Sequence, residues 1–323
     1  MILVLSLDKY EQGTDPVIDW LIYKKANFVK LTIQDLISTN NDFKIDVNFG
    51  RIYVKGIDLT DEIKVIWYRR FEDDLMVRFP NGKHSEQVLF ELKNEVEVVT
   101  DYLKRILTDK IWMPHEDGIK LDKPEISFLA EKFNLKTPKS IITNNKFDVI
   151  NFQNEINSDL IIKPIRHSGY FIDANHTYCI YTQKINQKMV NELPENFVLT
   201  LFQECVDSEL EKRVYYLYGE FYSSAIIITY KDSDVVDVKL NFNTDSINWI
   251  PYQLPKEFEV QLDSFMKSIN LNTGSLDILK TKNNEYIMLE INPVGQYNAP
   301  AYRNNFYLEE KIADWLINKD LKQ

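Results

Sequence analysis

Two apolar segments near the carboxy terminus, Gly274-Ser275-Leu276-Asp277-Ile278-Leu279 and Met288-Leu289-Glu290-Ile291-Asn292-Pro293, constrain this chain more than any other part of it. Both read as strands, separated by a short turn. Side chains alternate along a strand, so Glu290 and Asn292, two residues apart, point to one face, and Asp277 lies in the neighbouring strand. Three oxygen donors on paired strands suit Mg2+, which keeps several waters and is normally completed by nucleotide phosphates. The plainer reading is a half-buried hairpin whose carboxylates only face solvent. The hairpin alone does not separate the two.

With 323 residues, 44% of them hydrophobic, the chain can bury a sizeable core and divide into two or three lobes. A net charge of -11, from 38 basic and 49 acidic residues, argues against general nucleic-acid binding. Only Cys179 and Cys205 occur, which gives no disulfide framework and fits a reducing cytoplasm; both read as packed thiols. The start, Met1 to Asp8, lacks the features of a signal peptide, and no apolar run spans a membrane.

Residues 1 to about 115 read as a small α/β unit. Ile2 to Leu7 is a buried strand, Thr14-Asp15-Pro16 opens a helix, and Phe28–Leu31, Lys44–Val47, Arg51–Val54 and Val65–Tyr68 are short strands. His84 to Leu107 carries the longest helical stripe, Val88, Leu89, Leu92, Val96, Val99, Leu103 and Leu107, expected to face the core. Turn residues cluster at Pro114 to Gly118, where a boundary is expected, and a helix follows near Pro124 to Phe133.

Between those landmarks lie the other candidate groups. Lys163 ends the apolar run Leu160-Ile161-Ile162 and precedes Arg166-His167-Ser168-Gly169, a turn that suits a phosphate grip, although lysines at strand ends are commonly just solvated. Phe197 to Phe202 is a strand leaving the core at Gln203-Glu204-Cys205-Val206, where backbone groups can meet an adenine edge. Glu211 and Arg213 share one face of a strand that turns back at Tyr218-Gly219-Glu220; the pair reads either as a surface salt bridge or as a holder of phosphate or carboxylate. The four histidines, His84, His115, His167 and His176, show no metal-ligand spacing. Arg70 reads as solvent-facing, and Arg69 either as structural or as reaching a cleft.

The order Lys123, Lys163, Gln203 to Val206, Glu211-x-Arg213, Asp277, Glu290-x-Asn292 resembles that of the ATP-grasp superfamily over residues 119 to 318. Trp67-Tyr68-Arg69-Arg70, Leu271 to Asp277 and Leu289 to Tyr297 are similar to the peptide maturases of grasp-with-spasm systems, the graspetide synthetases, relatives of the microviridin macrocyclising ligases. The resemblance implies an α/β (α+β) ATP-grasp fold: an amino-terminal pre-ATP-grasp domain over 1–117, a central subdomain over 118–202 and a carboxy-terminal subdomain with the Mg2+ site over 203–323. It implies that ATP converts Glu or Asp side chains of a ribosomal precursor peptide, leader plus core, to acyl phosphates, which Thr, Ser or Lys side chains of the same peptide attack to close ω-ester or ω-amide rings.

Carried onto this sequence, the resemblance implies that Lys123 and Lys163 hold phosphates and that Glu204 and Val206 face adenine through their backbone, in the strand exit that also includes Gln203 and Cys205. Glu211 would serve ribose or substrate, Arg213 would position the reacting carboxyl group, and Asp277, Glu290 and Asn292 would bind Mg2+. Where the pattern expects Asp-x-Arg, the chain has Asp237-Val238-Lys239, so Lys239 keeps the charge and loses the fork. Residues 230 to 255 are the expected region of precursor-specific contacts. An acidic protein acting on an acidic core peptide should carry a local positive patch and a separate leader-binding surface. Likeness also implies a homodimer. The competing functions are an ATP-grasp amino-acid ligase and a nucleotide-binding regulatory protein without turnover.

Overall fold

A computed structural model describes residues 1–38, 42–71, 82, 84–165, 171–172, 177–178, 182–228 and 247–321. They form two compact units, one of residues 1–120, 267–274 and 293–323, the other of residues 121–266 and 275–292.

The first unit begins with β1 (Ile2–Leu5), α1 (Asp15–Tyr23), β2 (Phe28–Leu31) and α2 (Ile33–Ile37), continues through β3 (Phe43–Asp46), β4 (Arg51–Val54), β5 (Ile57–Asp58) and β6 (Val65–Tyr68), and reaches α3 (Ser85–Ile106), β7 (Ile111–Met113) and α4 (Glu116–Ile119). Its main sheet, in the order β2-β1-β6-β7, is wholly parallel. Parallel strands are covered on both faces, which is why Ile2-Leu3-Val4-Leu5 and Val65-Ile66-Trp67-Tyr68 are buried without alternation. Thr32 and Asp35 cap α2 reciprocally.

The stripe on α3 divides along its length. Leu103 and Leu107 join the core with Leu3, Leu5, Ile66 and Trp112, whereas Val88 is 44% exposed. Val88, Leu92, Val96 and Val99 with Leu36 and Ile37 line an open groove of about 470 Å³. The expectation of a core-facing stripe therefore holds at Val96, which packs against that core, and at Leu103 and Leu107, and fails at the exposed Val88.

The second unit comprises α5 (Lys123–Glu131), β8 (Ser140–Asn145), α6 (Lys146–Ile156), β9 (Leu160–Lys163), β10 (Phe171–Ile172), β11 (Thr177–Tyr178), β12 (Gln183–Ile185), α7 (Gln187–Glu192), β13 (Asn196–Glu204), β14 (Ser208–Leu217), β15 (Glu220–Ile228), β16 (Ile247–Tyr252), α8 (Lys256–Ser268), β17 (Thr273–Thr281) and β18 (Tyr286–Asn292). Among its described residues are a four-stranded sheet, β12-β9-β13-β8, a five-stranded one, β16-β15-β14-β17-β18, and the two-stranded pair β10-β11. In the hairpin of β14 and β15, Leu217 faces Glu220, and Tyr218 and Gly219 turn with φ of 48° and 94°. Two positive φ values give the turn a twist that matches the strands, and glycine tolerates this without strain.

After β18 the chain returns to the first unit as α9 (Asn298–Asn304) and α10 (Leu308–Leu321). Lys24 of α1 bonds Glu310 and Asp314 of α10 at 3.0 and 2.7 Å. Arg69 is 3% exposed within this unit, 3.5 Å from Glu11, bonded to the Gly295 carbonyl at 3.4 Å and flanked by Trp67 and Tyr297. Here it is a structural cation. No described helix is long and apolar enough to cross a membrane.

Candidate active site

The five-stranded sheet gathers most of the candidate side chains on one face. Asp277 of β17 lies opposite Glu290 of β18, and Ser275 opposite Asn292. Simple alternation from the buried Met288 would turn Glu290 toward the same side as Met288. Instead the register slips between Asp277 and Ile278, where Ile278 pairs with Met288, so Leu289 is an extra residue in β18. This bulge reverses the facing of everything beyond it. Met288 stays in the core at 1% exposure, while Glu290 and Asn292 join Asp277 on the other face.

Next to β17 in the sheet, β14 supplies the cation. Arg213 Nη1 bonds both carboxylate oxygens of Asp277 at 2.5 Å, and its Nη2 lies 3.1 Å from Glu211 Oε1. One forked guanidinium thus joins two carboxylates, a geometry that an ammonium does not reproduce. Lys123, in the first turn of α5 after its cap Asp122, reaches β18, with Nζ 3.1 Å from Glu290 Oε2. Both members of that pair are mostly shielded, with side chains 18% exposed. Charges held out of bulk water interact more strongly than surface pairs.

The other candidates sit on the four-stranded sheet. Lys163 is the last residue of β9, partly buried and in register with Leu201 of β13. Gln203, at the end of β13, turns inward and donates to Ser140 Oγ at 2.8 Å. The Glu204 and Cys205 N–H groups donate to Lys139 O and Asp159 O, both at 2.9 Å. Those two donors are therefore occupied by the fold itself. The strand exit retains the Glu204 carbonyl and, one residue past Cys205, the Val206 N–H. Cys205 is a half-buried thiol outside any disulfide. His115 caps α4, accepting from Asp117 N at 3.4 Å. Arg166, His167, Ser168, Gly169, Cys179, Lys239 and much of the expected precursor-contacting region lie outside the described residues.

A further charged group went unremarked in the sequence. Lys212, between Glu211 and Arg213, points to the opposite face of β14 and is fully buried. Its Nζ lies 4.5 Å from the ring of Tyr252 and 5.4 Å from that of Tyr286, with no hydrogen-bond acceptor among the described residues. Burial, aided by the nearby Lys280 ammonium and partly opposed by Glu209, pushes its pKa down to about 8. The Tyr252 and Tyr286 hydroxyls meet at 2.6 Å, joining the two edge strands of the sheet, and Phe258 of α8 stacks on Tyr286. The sign was present in the sequence: three consecutive charges in a strand covered on one face send one of them inward.

Among the described residues, no group of three or more His, Cys, Asp and Glu side chains is placed to hold a metal by itself. Asp277, Glu290 and Asn292 nevertheless offer hard oxygens in one row, and two cations already sit on the carboxylates. That donor set fits an oxygen-seeking divalent ion whose remaining positions are filled by water or phosphate.

No protein-family model and no curated relative matches the sequence. Solved structures do. The macrocyclase MdnC of Microcystis aeruginosa, bound with its precursor peptide MdnA, superposes with a TM-score of 0.80 at 21% identity over 98% of this chain and 99% of that one. A RiPP-associated ATP-grasp ligase of Chryseobacterium gregarium, in complex with ADP and a leader and core peptide, gives 0.82 at 20% over 98% and 96%. The ATP-grasp ligase PsnB with its minimal precursor gives 0.79 at 17% over 98% of each chain. The fold of this chain is accordingly the α+β ATP-grasp fold.

Proposed function

We propose that the chain is an ATP-dependent carboxylate ligase of the graspetide type, which activates Glu or Asp side chains of a ribosomally made precursor peptide and joins them to Thr, Ser or Lys side chains of that peptide as ω-esters or ω-amides. The observation that carries this reading is the junction of Glu211, Arg213 and Asp277 beside the Lys123–Glu290 pair, on a fold whose solved examples include ligases bound to precursor peptides. Structures of PsnB with Mg and ADP support the same assignment of cofactors.

A carboxylate is inert to alcohols and amines because its leaving group would be oxide. Phosphorylation supplies a leaving group, and Mg2+, when bound, supplies charge neutralisation at the transferring phosphoryl group. In this proposal Asp277, Glu290 and Asn292 hold that ion, and Lys123 and Lys163 bind phosphate oxygens. The Glu204 carbonyl and Val206 N–H form the two-point backbone edge for adenine, since the N–H groups of Glu204 and Cys205 are engaged. Arg213 orients the reacting carboxyl group, and Glu211 fixes one arm of its fork. Lys239 would add cationic charge for the substrate carboxylate. No nucleophile of the enzyme is required, because the peptide provides both partners.

The test is incubation with ATP, Mg2+ and a precursor peptide rich in Thr and Glu or Asp. Each ring formed removes one water, about 18 Da, with ADP release. A gain in mass would instead favour the amino-acid ligase, and absence of ADP release with every peptide would favour the regulatory protein. Full cyclising turnover by Glu290→Ala would overturn the assignment of the metal ligands.

A further inference from the structure

We infer that Lys123 and Arg213 are internal counter-cations of the metal ligands, so that the free enzyme disfavours a bare divalent ion and admits it together with nucleotide phosphate. The inference rests on the reading of Asp277 and Glu290 as metal ligands and goes beyond it.

Three carboxylates, Glu211, Asp277 and Glu290, converge on two cations. Arg213 covers both oxygens of Asp277 at 2.5 Å and touches Glu211 at 3.1 Å, and Lys123 covers Glu290 at 3.1 Å. The Asp277 and Glu290 side chains are only 9% and 18% exposed, so water screens these pairs weakly. A divalent ion arriving alone must displace Lys123 from Glu290 and loosen Arg213 from Asp277, although Arg213 keeps Glu211 at 3.1 Å, and so sets its charge beside an ammonium that has lost its carboxylate. Uncompensated buried charge is costly. A polyphosphate removes that cost: Lys123 transfers to a phosphate oxygen as Glu290 transfers to the metal, and the phosphate charge offsets the metal beside Arg213, which keeps Glu211. Metal and nucleotide then bind with positive coupling, which is reciprocal.

Lys123 is the more tractable of the two, since it ends a flexible stem in the first turn of α5. Mn2+ binding to the full chain is followed by the paramagnetic resonance signal of the free ion, first without nucleotide and then with ADP. Lys123→Gln and Lys123→Met should each tighten binding of Mn2+ alone by about tenfold, the equivalent of about 1.4 kcal/mol. Lys123→Arg, which keeps the cation, should bind Mn2+ as the unaltered protein does. A role for Lys123 in merely holding α5 against β18 would lower the melting temperature and leave Mn2+ affinity unchanged or weaker. That result with both neutral variants, while the unaltered protein still binds Mn2+ with ADP, overturns the inference and spares the metal site. If the unaltered protein takes up no Mn2+ even with ADP, the site assignment falls and the inference with it.

Discussion

Replacing Lys212 by methionine should stabilise the second unit at neutral pH, and the gain should vanish in alkali. Lys212 is buried without a hydrogen-bond acceptor among the described residues, and its pKa falls from 10.5 to about 8. That displacement corresponds to about 3 kcal/mol of disfavoured charge, of which the two tyrosine rings return about 1 kcal/mol. Methionine matches the shape and needs no acceptor, so the expected gain near pH 7 is about 2 kcal/mol. The sign with pH follows from the depressed value. Between about 8 and 10.5 the unfolded lysine still holds its proton and the folded one has released it, so raising pH stabilises the unaltered protein. The variant lacks this contribution, and the two stabilities should converge near pH 10.5. Burial raises the pKa values of Tyr216, Tyr222 and Tyr286, which erodes stability in strong alkali. That effect is common to both proteins and cancels in their difference. Thermal melts of the pair from neutral to about pH 10 should show the variant ahead by roughly 4–8 °C at first and by little at the end. A difference that does not shrink with pH, or a variant less stable throughout, would refute the reasoning.

Arg213→Lys should lower kcat by about a hundredfold with little change in melting temperature, because an ammonium cannot bridge Glu211 and Asp277 as the fork does; steady-state ADP release checks it. Deleting Leu289 should leave nucleotide binding, measured by calorimetry, nearly unchanged, because Glu290 and Asn292 then follow Met288 in regular alternation and stay opposite Asp277 and Ser275; loss of binding would refute the reading of Leu289 as the extra residue. Gly219→Ala should cost about 1 kcal/mol in urea unfolding, since φ is 94° there while a new methyl group meets only Asp263 Oδ1, at 3.6 Å.

The strands Phe28–Leu31, Arg51–Val54 and Val65–Tyr68 have the expected limits, although only the last is buried throughout, because short runs rich in β-branched and aromatic residues flanked by turn residues admit few alternatives. The equally buried β1 ends at Leu5, two residues before the expected Leu7. Periodicity failed on α3, where the apolar stripe continues past the core into an exposed groove; a stripe records only that a face is apolar, not what covers it. At the site, the two-residue spacing of Glu290 and Asn292 revealed their common face but not which face, since that depends on the extra residue Leu289. The pairing of Arg213 with Asp277 and of Lys123 with Glu290 spans 64 and more residues of chain, and no local pattern encodes such contacts. Arg69 was open to two readings, and its burial beside Glu11 depends on the packing of the first unit.

The phenol-to-phenol bond between Tyr252 and Tyr286 gives the five-stranded sheet a mechanical property that its ladder lacks. It pins together the outermost strands, β16 and β18, over the buried amine of the middle one. A displacement of either border must break that bond, exposing Lys212, or drag the opposite border along. The strand bearing Glu290 and the strand that resumes after residues 229–246 are thereby coupled as the two jaws of a single clasp.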